Sequence, residues 1–243
     1  PFYNIVIIPL VIPFLILMTL GPQFSWINSK KEKLFKTLFV LVGAFIINLL
    51  LFYFFGSYGF YSNLILITAT FLILHSITDA SISFKNKKKF EYPRIISHLG
   101  FGLLVFFIGI NYQHSVETDF NLKVGDTKKL DNYEVSFENI KVQQNKNYKS
   151  IVGNFKIVNL KKKYVQYLNP EIRIYTNPET LTYEAAIKSK ISSDIYLTMS
   201  NVSRSNFYNI KFQNKPFMIW IWISAFIIAF GGFIQLILKK NEK

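Results

Sequence analysis

The sequence predicts a membrane α-helical protein of five transmembrane helices with an all-β extracytoplasmic insertion domain, a small sandwich or barrel. Three features carry that expectation. Five stretches of about 18–23 residues hold almost no charge, each near the roughly 20 needed to span a bilayer core. The basic residues of the short loops all fall on one side of an alternating path. One long segment switches to period-two alternation of apolar and polar residues.

Composition narrows the classes first. Of 243 residues 51% are apolar, 25 are Phe, and the formal net charge is +14. A disordered tail, a fibrous repeat and a small disulfide scaffold are excluded. A basic nucleic-acid binder would gather its positive residues on a folded surface, whereas here charge and hydrophobicity are segregated along the chain; no nucleic acid is expected as a partner. The absence of Cys removes disulfides, thiolate metal sites and thiol catalysis from within the chain.

The elements follow in order. Residues 2–20 are uncharged and contain Pro9 and Pro13, which free two hydrogen bonds on one helix face. Such a bend reads either as a packing kink covered by neighbouring helices or as the wall of a groove for a cofactor or lipid-like molecule. With no basic leading region, and no small-residue cleavage site before Gly21-Pro22, this stretch is not a cleavable signal peptide. Residues 37–55 and 216–238 are also uncharged. Residues 62–80 carry His75 and Asp79, and residues 95–112 carry His98 as their ionisable group. Four short-loop lysines lie between the first two stretches (Lys30, Lys31, Lys33, Lys36). Five basic residues lie between the third and fourth (Lys85, Lys87, Lys88, Lys89, Arg94). Lys239, Lys240 and Lys243 follow the fifth, and the 56–61 loop has none. The positive-inside rule then predicts an outer N-terminus, an inner C-terminus and an outer 113–215 segment. Trp220 and Trp222 are expected at the outer interface. The domains are expected as 1–112, four helices with short loops; 113–215, the β domain; and 216–243, the fifth helix with a basic tail.

The 113–215 segment mixes 16 basic and 10 acidic residues with alternating apolar ones, as at Tyr133, Val135 and Phe137, or Tyr208, Ile210 and Phe212. Six to eight short antiparallel strands are expected.

Few residues carry candidate chemistry. His98 sits about one turn into the fourth helix, where an ionisable group costs roughly 2.5–3.5 kcal/mol on insertion scales. It reads either as a metal ligand, with Gly100 and Gly102 leaving room for a flat macrocycle or a close helix, or as a neutral hydrogen-bonding histidine. His75 and Asp79 share a helix face at i, i+4. They read as a proton relay, or as a helix-end carboxylate reaching the inner surface with His75 packed nearby. His114 reads as solvated, and Lys161–Lys163 as a solvated turn or a docking point for an acidic partner or anionic lipid. No nucleotide-binding, zincin or serine-nucleophile motif is present.

Several blocks, taken in order, resemble the CcmF family, the membrane core of the cytochrome c heme lyase. They are Pro1-Phe2-Tyr3-Asn4 with Pro9, Pro13, Gly21-Pro22 and Trp26; Ser97-His98-Leu99-Gly100; Ser115-Val116-Glu117; Asn147-Tyr148; Asn169-Pro170-Glu171 with Tyr175; Glu184-Ala185-Ala186-Ile187; Asp194-Ile195-Tyr196-Leu197; and Ile219-Trp220-Ile221-Trp222 with Gly231-Gly232. The resemblance is to the C-terminal part and covers nearly all 243 residues. The family's tryptophan-rich region has no counterpart here, so the chain reads as a fragment or as one subunit of a split protein. The resemblance implies covalent attachment of heme to apocytochrome c and a bound heme b. It implies His98 as one axial ligand to the heme iron, with the partner ligand outside this chain. Implied partners are the heme chaperone and apocytochrome-delivery subunits of the maturation system, apocytochrome c, quinol, membrane lipid and the N-terminal half of the same protein. The expected location is a bacterial cytoplasmic membrane or the mitochondrial inner membrane. The chain alone is not expected to be catalytic. The rival reading is a membrane-anchored β-domain binding or sensor module.

Overall fold

The computed structural model describes residues 2–23, 31–56, 59–87, 91–161, 163–202 and 206–240. The chain divides into two compact units, residues 1–113 with 217–243, and residues 114–216.

The first unit holds five helices: α1 (Phe2–Leu20), α2 (Lys31–Phe55), α3 (Phe60–Lys85), α4 (Tyr92–His114) and α5 (Met218–Lys240). Stretches Phe35–Phe54, Phe60–Lys85, Tyr92–His114 and Met218–Leu238 are long and apolar enough to cross a membrane. In α1 a shorter apolar run covers Val6–Leu20. Pro9 and Pro13 lie inside that helix, followed by a 3₁₀ turn at Gly21–Gln23. Trp26 and Lys162 lie outside the described residues. Large apolar side chains face outward along these helices; Phe39 is 81% exposed and Phe226 73%. That distribution suits hydrocarbon as solvent, where backbone groups must be satisfied within the helix but apolar side chains have nothing to hide from.

Small and polar residues make the helix contacts. α3 and α4 run antiparallel: a Cβ on Gly109 would touch Leu66, one on Gly102 would come within 2.9 Å of Ile73, and Arg94 meets Asp79 further along. Against α5, Gly100 faces Ile227 and Ile228, and Gly231 faces Ser97 and Pro93. The Ser97 hydroxyl donates to the Ile228 carbonyl at 3.4 Å. Trp220 stacks on Phe107, with centroids 5.7 Å apart. Between α2 and α3, the buried Asn48 amide donates to the Thr70 hydroxyl at 3.0 Å and to the Ala44 carbonyl at 2.8 Å. Close approach and interhelical hydrogen bonds replace the hydrophobic effect as the adhesive in lipid.

The second unit is an antiparallel β-sandwich, with ten strands among the described residues. They are β1 (Val116–Leu122), β2 (Thr127–Leu130), β3 (Tyr133–Gln144), β4 (Tyr148–Asn159), β5 (Tyr164–Leu168), β6 (Glu171–Thr176), β7 (Glu179–Glu184), β8 (Ala186–Lys188), β9 (Ser193–Asn201) and β10 (Tyr208–Pro216). One sheet has the order β1-β10-β9-β8; the other runs β2-β3-β4-β6-β7, with β5 also on β4. The alternating residues turn inward as the period-two pattern requires. Val135, Phe137, Phe155, Ile157, Leu197, Ile210 and Phe212 are all fully buried. Phe137 stacks on Phe155 at 4.2 Å. Gly153 in β4 leaves space that the Met199 thioether fills from the facing sheet. The strand count exceeds the expected six to eight because β2, β5 and β8 are only 4, 5 and 3 residues long. Runs that short hold too little alternation to stand out in sequence.

Candidate functional site

A cluster of ionisable side chains lies between α3 and α4. Asp79 Oδ2 accepts from both terminal nitrogens of Arg94, each at 3.3 Å. His75 Nδ1 lies 3.7 Å from the same oxygen. Arg94 also lies 3.7 Å from Glu91 Oε2, and Ser83 donates to that oxygen at 2.9 Å. The antiparallel register makes this possible, because it places Asp79 beside Arg94 near one end of both helices. A cavity of about 820 Å³ borders the cluster. His75, Asp79, Glu91 and Arg94 line its polar side, and Phe39, Val40 and Ile82 line its apolar side. His75 is almost fully buried and meets the Phe71 ring edge-on.

His98 lies one turn beyond Arg94, half-buried, within electrostatic reach of Arg94, Asp79 and His75. It does not line the cavity. Gly100 and Gly102 do not make room for a macrocycle beside it. A Cβ at Gly100 would come 2.9 Å from Ile228, and one at Gly102 2.9 Å from Ile73. The space left by the missing side chains is filled by α5 and α3, because small residues in lipid serve first to bring helices together. Asp79 is paired with Arg94, and His75 packs beside it. Arg94 stood among the loop charges in sequence, and only the α3–α4 register shows its partner.

A heme ligand makes specific demands on a side chain. Axial ligation needs one neutral imidazole nitrogen, held by packing and open on one side. His98 carries a half-buried ring on a helix packed against α3 and α5. His75 offers a nitrogen as well, but its Nδ1 faces Asp79 and its ring is enclosed. No group of three or more His, Cys, Asp or Glu residues capable of holding a metal ion occurs among the described residues. His114 ends α4 and borders a separate hollow of the β domain. Lys161 and Lys163 are exposed in the turn before β5.

Comparison with known proteins agrees with this architecture. Residues 113–216 match a family model described as the CcmF C-terminal beta-sandwich. The whole chain is similar to the cytochrome c-type biogenesis protein CcmF of Escherichia coli, at 27% identity over 100% of this chain and 38% of that protein. It is also similar to CcmF of Pseudomonas fluorescens, at 24% identity over 99% of this chain and 38% of that protein. The chain thus spans well under half the length of these curated relatives. A solved structure of the cytochrome c heme lyase CcmF shares the fold, with a TM-score of 0.79 at 15% identity, over 97% of this chain and 40% of that one.

Proposed function

We propose, from the premise that this chain is a relative of the C-terminal region of the CcmF family, that it works in cytochrome c maturation. In this reading it belongs to a heme lyase that joins heme vinyl groups to the thiols of apocytochrome c. The observation that carries the reading is the similarity along the entire chain, helices and β domain together, to proteins named for cytochrome c biogenesis.

A cysteine-free chain suits the task, because both thiols come from the substrate. Within the helices, His98 would offer its ring nitrogen as one axial ligand of a heme b, with the second supplied from outside this chain. When bound, that group supplies one-electron transfer, with quinol as the source of electrons. The residues around His98 hold it in place. Gly100 and Gly102 let α4 pack closely against α5 and α3 beside the backbone that carries the imidazole. The Arg94–Asp79 pair closes the α3–α4 seam one turn away. The expected setting is a cytoplasmic or mitochondrial inner membrane, with the β domain outside and the C-terminus inside. The heme chaperone, the apocytochrome-delivery subunits and apocytochrome c are the expected partners.

The test is the reduced-minus-oxidised heme b spectrum per mole of purified complete protein. His98→Ala should remove most of the signal, whereas His75→Ala and His114→Ala should keep most of it. Adding imidazole to His98→Gly should restore part. Wild-type heme content in His98→Ala would refute the ligand assignment, and loss in His75→Ala instead would move it to α3.

A further inference from the structure

One end of the β domain carries both of its connections to the helices. The chain comes in there at Val116 and leaves at Asn214–Pro216, and Val116 pairs with Asn214 across β1 and β10. Three connections surround this seam: 131–132 between β2 and β3, the described residues 160, 161 and 163 between β4 and β5, and 189–192 between β8 and β9. They are tied to one another and to the sandwich. The Leu160 N–H donates to the Asn132 carbonyl at 2.8 Å, and the Lys190 N–H to the Ser193 carbonyl at 3.2 Å. The Lys190 ammonium sits 3.3 Å from the centre of the Tyr164 ring.

Two of these turns carry aliphatic tips: Leu160 is 43% exposed and Ile191 70%. Lys129, Lys161 and Lys163 are exposed around them. A hollow of about 540 Å³ opens between the turns, lined among others by Lys129, Lys161, Tyr164, Ser192 and Ser193. Turns in water favour Gly, Asn, Asp and Ser. Aliphatic tips ringed by lysines are instead the composition of a surface lying in a lipid interface, with apolar groups at the acyl boundary and ammonium groups among phosphates.

We propose that this end of the domain docks on anionic phospholipid headgroups, with Leu160 and Ile191 dipping to the acyl boundary and Lys129, Lys161 and Lys163 meeting phosphates. Two features favour lipid over an acidic protein. Both chain ends at this seam continue, within a few residues, into helices long and apolar enough to cross a membrane, so the interface is covalently close. Isolated aliphatic tips also gain from hydrocarbon, whereas an acidic protein surface satisfies only the lysines. The proposal does not depend on the heme reading.

The chain contains no cysteine, so a single introduced one carries a fluorescent label at a known place. The full chain with Ile191→Cys, labelled with nitrobenzoxadiazole, is reconstituted in vesicles of phosphatidylcholine alone or mixed with phosphatidylglycerol. Asn145→Cys, in the turn between β3 and β4, is the reference. With phosphatidylglycerol the label at 191 should shift to the blue and be quenched by lipid carrying a nitroxide on its headgroup, and the label at 145 should do neither. Lys161→Gln and Lys163→Gln should each lower the docked-to-undocked ratio by about fivefold, as should high salt in the same direction. Leu160→Cys repeats the measurement should Ile191→Cys disturb its turn. A label at both tips as open to iodide in phosphatidylglycerol vesicles as the one at 145 overturns the proposal. Shielding that arises only on adding polyglutamate assigns the surface to an acidic protein and equally overturns it.

Discussion

Two adjacent glycines in α5 provide a test of how the helices are held. An ideal Cβ on Gly231 would lie 2.9 Å from the Pro93 carbonyl oxygen, 2.9 Å from the Ser97 amide nitrogen, and closer still to the Ser97 hydroxyl. Two of these neighbours are backbone atoms of α4, which no rotamer change can move aside. An ordinary contact needs 3.4 Å or more, so Gly231→Ala must push α5 off α4 by roughly half an ångström to one ångström. The same shift stretches the Ser97–Ile228 hydrogen bond, already 3.4 Å long. Overpacking of this kind costs about 1–3 kcal/mol. The helix-propensity gain of Ala over Gly, up to about 1 kcal/mol in water, offsets little, because a helix separated in lipid is already formed. Gly232 has nothing within 4 Å of its ideal Cβ, so Gly232→Ala should change stability by about 0.5 kcal/mol or less. The assay is thermal unfolding of the detergent-solubilised chain followed by tryptophan fluorescence, since Trp220 stacks on Phe107 across the same helix pair. Equal midpoints for the two variants would refute the packing argument.

Three further outcomes follow from the same structure. Asp79→Asn removes the nearer of the two carboxylates on Arg94, leaving Glu91 at 3.7 Å, and should destabilise the helical unit by about 1–3 kcal/mol, reduced toward the lower end because Arg94 is a third exposed; adding Arg94→Gln should recover part of the loss, and a strictly additive double variant would show that the pair is not coupled. In the β domain, burial and the neighbouring Tyr164 hold the Tyr133 phenol above its ordinary value, so its contribution is complete below about pH 10 and is lost as pH rises through the folded value; Tyr133→Phe should lessen the alkaline fall in the β-type circular dichroism signal, and an unchanged alkaline limb would count against it. A reporter fused after Lys243 should read cytoplasmic and one inserted at Lys161 exterior, as the one-sided loop lysines require; an exterior C-terminus would reverse the orientation.

The helices and the β domain were legible because each is written in a period of its own. Stretches with almost no charge mark α1 to α5, and Tyr133, Val135 and Phe137 alternate in sequence as they do in the sandwich core. The short strands were not legible, since three to five residues give alternation no room to repeat. The surroundings of His98 were read only in part. Its helix was evident, but Gly100 and Gly102 suggested vacant space, and the structure fills it with Ile228 and Ile73. Which neighbour occupies the notch beside a glycine depends on helix pairing, and one sequence does not encode pairing by period. The Arg94–Asp79 contact escaped for the same reason: the residues are fifteen apart and meet only through the α3–α4 register.

The pairing of β1 with β10 bears on the order of events during synthesis. α4 is complete about 100 residues before α5 begins. At about 5–20 residues per second, the ribosome needs roughly 5–20 s to bridge that gap. Throughout that interval the notch at Gly100 and Ser97 has yet to receive Ile228 and Gly231. β10 is also the last strand made, and its zippering along β1 from Val116 to Leu122 draws the start of α5 to the end of α4. The length of the β domain thus sets an interval: until its last strand is made, there is no α5 to fill the groove on α4.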